Sequence, residues 1–507
     1  MNINKSLNII SLLILIFSLI LYSSLYFTNQ INVFNSDSLL LPSFISSIIN
    51  GDKVSNWVLP PGNSLFPEGL LFLIVHIFTK SVFIQYFLVN ILTFTLCFII
   101  FFKFSKSIQS SHPFAKAALI ISLLIILGSM GVTPYKNMMY TTYHFGAIIN
   151  LLIGLLIGTK ILFESHKNQN KYLIIFFILC LISIFSDKLF IVQFLLPFIV
   201  SYLLLHRYHF IIIDKKFYGI IIIFIIAFIT SILFKEIFLT NEWPSSTKIV
   251  IFQLNIFSTI NHLIFQFNNF FSMIDRLYTD TKMIFIIVIS TYIYFFYTLV
   301  TSIRHLTDEL QIKKSFILCF ILSSVFINLI AVFSINFAIH QRYFLTLSFL
   351  AVFGIIFLDL KKIYNIIIIF FIILLIAVSI PERIDFKKFK HMKLEFSHYT
   401  NNHRCLDNLL KKYDLKNGIS HYVNDRYFEI FLKNKVSIWA LNENLTPDYK
   451  ASSKKGYVLE NFDFALLDTS KNDYKKYMNS LIKMKGMARS SESCGKYQIN
   501  IYKSRLN

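Results

Sequence analysis

Asp37 is the first residue in the chain with both the type and the setting for chemistry. It follows an apolar run from Leu7 to Phe27 and sits near the start of a segment, Phe34–Glu68, that reads FNSDSLLLPSFISSIINGDKVSNWVLPPGNSLFPE. The segment holds Asp37, Asp52 and Glu68, with Gly51, Gly62 and the prolines Pro42, Pro60, Pro61 and Pro67 between them. A carboxylate where a membrane helix meets water can act as general base toward an acceptor hydroxyl or amine. It can also ligate a divalent cation. The alternative for Asp37 is a helix N-cap, because Asn35, Ser36 and Asp37 precede SLLLPSF. Farther along, Arg342 follows His340 and Gln341, and a guanidinium suits bidentate binding of a phosphate. Lys188, beside Asp187, and His144, beside Tyr143, add further donors. Their alternatives are snorkelling for the two cations and a hydrogen-bonded helix end for His144.

These residues need apolar elements to position them. The chain has 507 residues, of which 55% are hydrophobic and 15% charged. Apolar runs long enough to cross a bilayer core of about 30 Å recur along it. The predicted crossings are 7–28, 82–104, 114–131, 143–163, 172–186, 189–206, 218–238, 282–303, 315–336, 343–360 and 363–380, about eleven in all. The run 7–28 is too long for a cleaved signal peptide and lacks an A-x-A site, so it reads as a signal anchor. A shorter apolar stretch, 69–79, follows Pro67. Taking it as a surface helix leaves the short loops 103–116, 160–171, 206–217, 304–314 and 361–362 on one side, and they are dense in Lys and Arg. The positive-inside rule then places the N-terminus in the cytoplasm. On that topology Asp37, Asp52, Glu68, Lys136, His144, Asp187, Lys188, Glu242, His340 and Arg342 share the outer side. Ionisable groups at a bilayer are costly and mark sites or pairs, which favours one outward-facing cavity. Loops 29–81 and 239–281 lie on that face, the latter as amphipathic helices in the interface, a lid or a packing element.

Domain boundaries follow from the same pattern. Residues 1–380 read as a transmembrane domain. Residues 381–507 lack any spanning run and alternate between helical and strand periodicity, with helices near 403–413, 425–433 and 471–485. Strands are expected near 418–423, 435–441, 463–468 and 497–502. That pattern is a small extracytoplasmic α/β domain. It contains two cysteines, Cys405 and Cys494, which pair in an oxidising compartment; the alternative is two reduced thiols. Closing that loop stabilises by about 4 kcal/mol in the chain-entropy picture. Cys97, Cys180 and Cys319 fall inside crossings as apolar fillers.

Lys and Arg number 48 against 27 Asp and Glu, a net charge of +21. Membrane topology and anionic head groups account for that excess, and no nucleic-acid motif accompanies it. There is no P-loop, GxGxxG, HExxH, paired CxxC or GxSxG, so neither ATP-driven nor NAD-linked chemistry has support. Any catalysis falls to the outer loops.

With the anchor helix, NSDS (35–38) at its outer end, NSLFPEGLLFL (63–73), the many crossings and NFDFALLDTS (461–470) in the C-terminal domain, the chain resembles the GT-C superfamily of integral-membrane glycosyltransferases. Its nearest types are the dolichyl-phosphate-mannose protein mannosyltransferases and the bacterial aminoarabinose transferases. The resemblance implies a bacterial inner-membrane enzyme with its C-terminal domain in the periplasm. Such an enzyme takes a sugar from a polyprenyl-phosphate donor to a glycan, lipid or protein acceptor. It implies Asp37 as base or metal ligand and Arg342 on the donor phosphate; the outer-side residues Glu68, His144, Asp187 and Lys188 are expected as further binding residues beside them. Two departures stand out. Ser38 follows Asp37 where many relatives carry a second acid, and 132–142 contains no acid. A divalent metal is thus left open, its second carboxylate falling to Glu68, Asp52 or Asp187. The competing expectations are a lipid-linked-sugar flippase, a glycan polymerase or ligase, and a non-catalytic assembly protein.

Overall fold

The computed structural model describes residues 3–31, 33–60, 62–132, 134–140, 145–163, 169–208, 211, 215–238, 282–303, 308–333, 344–357, 394–422, 424–448 and 462–503. Loop 239–281, the expected crossing 363–380, His144 and Arg342 lie outside the described residues. In chain order the helices begin with α1 (Ile3–Phe27), α2 (Leu40–Ile49), α3 (Leu70–Phe78), α4 (Val82–Ser107) and α5 (Pro113–Ser129). Then come α6 (Phe145–Phe163), α7 (Gln169–Ser186), α8 (Leu196–Arg207), α9 (Lys215–Phe238), α10 (Lys282–Ile303), α11 (Glu309–Phe333) and α12 (Leu345–Phe353). The last part holds α13 (Asn401–Lys412), β1 (Asn417–His421), α14 (Asp425–Phe431), β2 (Ser437–Leu441), β3 (Phe464–Asp468), α15 (Tyr474–Lys485), β4 (Ser490–Cys494) and β5 (Tyr497–Ile501).

Six described helices are long and apolar enough to cross a membrane: residues Lys5–Phe27, Val82–Ser107, Phe145–Phe163, Gln169–Ser186, Lys215–Ile237 and Glu309–Ala331. Shorter apolar helices occupy Pro113–Ser129, Ile191–Arg207, Val288–Thr301 and Leu345–Phe357, all at expected crossings. The chain divides into two compact units. One draws its described residues from Met1–Ile31, Asn90–Phe234 and Ser246–Leu394, the other from Asn32–Val89, Lys235–Ser245 and Glu395–Asn507. The expected boundary at 380 lies outside the described residues; within them, residues 33–89, the start of α4 included, group with those from 395 onward.

The first unit is a helical bundle. Helix α1 packs along α5, and α8 packs along α11. The rings of Phe176, Phe194, Phe198, Phe224, Phe316 and Phe320 interlock in its interior, mostly edge to face, the geometry that ring quadrupoles favour. Gly154 and Gly158 of α6 admit this cluster: a Cβ on Gly158 would lie 2.6 Å from the Phe198 ring. Lys116 is buried, and its Nζ donates to the Ile356 carbonyl at 2.9 Å and to the Ser110 hydroxyl. The ammonium thereby occupies one carbonyl oxygen at the end of the helix that starts with α12, where a cation complements the helix dipole.

The second unit contains a five-stranded sheet in the order β2-β1-β3-β5-β4. Strands β2, β1 and β3 are parallel, and β3-β5-β4 is antiparallel. Side chains alternate across the sheet. Phe464 and Leu466 face α13 and α14 with Leu406, Leu410 and Phe428. Ala465 and Leu467 face α15 with Tyr477 and Leu481. Gly418 of β1 lets the Phe464 ring lie against its backbone, where a Cβ would come within 2.3 Å. Strand β4 has no counterpart in the sequence reading. Its residues Ser490–Cys494 are mostly polar because it is an edge strand, and edges are kept polar against unwanted pairing. Cys405 of α13 and Cys494 of β4 are joined in a disulfide across 89 positions.

Helix α3 belongs to this unit too. Its Phe72, Val75 and His76 are buried, while Leu70, Leu73, Ile74, Ile77 and Phe78 are exposed. That three-and-four spacing is a continuous apolar stripe.

Candidate functional site

The turn before α2 is built from its own side chains. Asn35 Oδ1 accepts the Ser38 N–H at 2.8 Å, and Ser38 Oγ accepts the Asn35 N–H at 2.9 Å. This reciprocal pairing is what Asn and Ser do at turns. The Tyr86 hydroxyl donates to the Ser38 carbonyl from α4. Asn35 and Ser38 are thus structural, and they set out Ser36 and Asp37 between them. Helix α2 starts only at Leu40, with Leu39 as its cap residue, so the Asp37 carboxylate does not serve as its N-cap.

Three residues from the β1–α14 junction take up Ser36 and Asp37. The Tyr422 hydroxyl donates to Asp37 Oδ1 at 2.6 Å. Ser36 Oγ donates to Asp425 Oδ1 at 2.6 Å, and Arg426 Nη1 donates to the Ser36 carbonyl, also at 2.6 Å. Asp425 and Arg426 are buried at 3% and 4% exposure, so neither charge has bulk water to fall back on. The Arg426 guanidinium lies 5.7 Å from the Tyr422 ring centre. Burial works against the Arg426 charge, but Asp425, Tyr422 and Asp37 outweigh it and hold the guanidinium above its usual range. Burial pushes the Asp425 carboxyl up, and Arg426 and Ser36 hold part of that back. Burial also raises the Tyr422 phenol, with Arg426 opposing and Asp37 adding to it. Tyr422 therefore stays an O–H donor throughout the neutral range.

Glu429 follows Asp425 by one turn of α14. Crowding by surrounding protein and then the Asp425 carboxyl push it upward, with Arg426 opposing, although the residue as a whole is exposed.

An aromatic and imidazole layer backs the turn. Phe34 meets His398 at 4.8 Å, Phe431 at 4.9 Å and Tyr86 at 5.2 Å between ring centres. His398 Nε2 lies 2.9 Å from the Tyr427 hydroxyl. His403 Nδ1 accepts the Thr400 N–H at 3.2 Å, closing a capping box at the start of α13. Burial lowers both imidazoles to about 4; the charge of His403 adds to the effect on His398, while the Tyr427 carbonyl and Asp407 oppose it at His403. These are neutral structural rings, not acids or bases at pH 7.

The other expected residues divide between the two units. Glu68 is buried just before α3, in the turn where the Gly69 N–H reaches the Ser64 carbonyl. Asp52 holds its own loop, accepting from Ser47 at 2.7 Å and Asn56 at 2.6 Å. In the helical bundle, Asp187 Oδ1 accepts the Leu189 N–H at 3.0 Å, as a cap does for the helix that follows. Lys188 beside it is exposed. No three His, Cys, Asp or Glu side chains assemble as metal ligands among the described residues. Beside the Asp37 turn the Arg426 guanidinium adds a buried positive charge, which disfavours a cation there.

Tyr422, Asp425 and Arg426 were missed in sequence. A signal existed: HYVNDRYFE (421–429) packs charge and aromatic residues into a strand-to-helix junction, and strand carboxyl ends are where α/β sheets carry function. No family model matches the chain, and neither does any curated protein or solved structure.

Proposed function

We propose that the chain is a GT-C-like membrane glycosyltransferase with about eleven crossings, working on the outer face of a bacterial inner membrane. Its donor is a polyprenyl-phosphate-linked sugar and its acceptor a glycan, lipid or protein. The observation that supports this is the Asp37 carboxylate, fixed in a side-chain-braced turn ten positions after a crossing-length helix. Asp37 takes the proton from an acceptor hydroxyl as that oxygen bonds to the anomeric carbon. The bond from that carbon to the phosphate oxygen breaks, and polyprenyl phosphate leaves with its electron pair. Arg342, Lys188 and His144 neutralise the departing phosphate, and such charge stabilisation is often the largest catalytic contribution. Asp37→Asn keeps the turn's shape and removes the base. It is expected to abolish product in native membrane vesicles, read by mass spectrometry of envelope glycans and lipids. Full product from a normally expressed Asp37→Asn protein overturns the reading, and movement of the lipid-linked sugar without transfer assigns the chain to transport instead.

A further inference from the structure

We infer that Tyr422 is the positioning residue of the Asp37 carboxylate, which makes the C-terminal α/β domain part of the transfer site rather than an appendage. This rests on the reading of Asp37 as base. Hydrogen bonds of 2.6 Å from three residues near the β1–α14 junction converge on two consecutive positions, Ser36 and Asp37. Two of them hold Ser36, through its hydroxyl and its carbonyl, and so fix the backbone that carries Asp37. The third reaches the carboxylate itself and anchors its Oδ1.

A general base has to meet the acceptor proton within hydrogen-bond reach and in line. A short aspartate with two free torsions does not hold such a pose alone, and a misplacement of about 1 Å costs on the order of a hundredfold in rate. Tyr422 suits the task because its hydroxyl keeps its own proton. Burial and its acidic neighbours keep the phenol protonated, so it orients the carboxylate without competing for the acceptor's proton. The buried Asp425–Arg426 pair sets the junction: Arg426 sits beside the Tyr422 ring, and Asp425 answers Ser36. The sheet supplies the rigidity, since Tyr422 directly follows His421, the last residue of β1 and register partner of Leu441 in β2.

The test uses the full chain in native membrane vesicles with their endogenous donor and acceptor. Tyr422→Phe keeps the ring and removes only the hydroxyl. It is expected to slow product formation on the order of tenfold to a hundredfold while thermal unfolding of the purified protein stays within a few degrees of wild type. Installing 4-aminophenylalanine at 422 adds a readout that packing alone does not move. It returns an N–H donor to the same ring position and never becomes an anion. It is expected to restore most of the rate that Tyr422→Phe loses. If Asp37→Asn abolishes product while Tyr422→Phe keeps the full rate, the inference fails and the base assignment stands. If Asp37→Asn keeps the full rate, the base assignment itself fails. A 4-aminophenylalanine protein as slow as Tyr422→Phe also overturns the positioning role.

Discussion

Acidification loosens the second unit through two particular rings. His398 and His403 lie 5.8 Å apart, and both are lowered from 6.5 to about 4. A ring whose folded value is depressed keeps its full stability above 6.5. Between 6.5 and 4 the unfolded chain binds a proton that the folded chain refuses, so stability falls as pH falls. At 1.36 kcal/mol per pH unit the full gap is worth about 3 kcal/mol per ring, and at pH 5 the loss is about 2 kcal/mol each. Two rings together remove about 4 kcal/mol at pH 5, a large share of a typical domain's stability. The structure adds a local reason: His403 Nδ1 accepts the Thr400 N–H, and a protonated Nδ1 cannot. Hydrogen-exchange mass spectrometry on peptides from α13 and α14, from pH 7.5 to pH 5, reads the effect directly. Protection is expected to fall steeply below pH 6.5, and His403→Gln with His398→Gln is expected to flatten that slope at the cost of some stability at pH 7.5. Equal protection at pH 7.5 and pH 5 in the native protein, or an identical slope in the double variant, refutes the reasoning.

Two further perturbations report on packing. Cys405→Ser with Cys494→Ser opens a loop of 89 positions and is expected to cost the second unit about 4 kcal/mol. Denaturant midpoints with and without reductant check this, and a wild type insensitive to reductant contradicts it. Gly158→Ala brings a Cβ to 2.6 Å from the Phe198 ring and is expected to destabilise the helical bundle by about 1–3 kcal/mol through overpacking. A detergent thermal melt measures it, and an unchanged midpoint shows that the ring has room to move.

Local patterns were legible in the chain and distant pairings were not. The run 218–238 announces α9, and the apolar alternation at 463–468 announces β3, because each is specified by residues a few positions apart. Strand β4 escaped because Ser490, Ser491, Glu492 and Ser493 carry no alternation; its pairing with β5 supplies the order that its own sequence lacks. Asp37 was visible from its place after the first apolar run, yet its partner Tyr422 stands 385 positions away. No periodicity reports such a contact. For the same reason, the grouping of loop 33–81 with the C-terminal domain could not be read: it depends on Ser36 meeting Asp425 and on Phe34 meeting His398 and Phe431.

The span between Ser36 and Arg426, 390 positions, has a consequence for biogenesis. Residues 36 and 37 leave the ribosome long before their partners, which lie some 390 positions farther along. A truncated product, or one stalled before β1, therefore keeps only the local hydrogen bonds of Asn35 and Ser38 in this turn and has no Tyr422 to pose the Asp37 carboxylate. On the proposed reading, lipid-linked sugar meets a well-posed base only in copies synthesised through to the sheet.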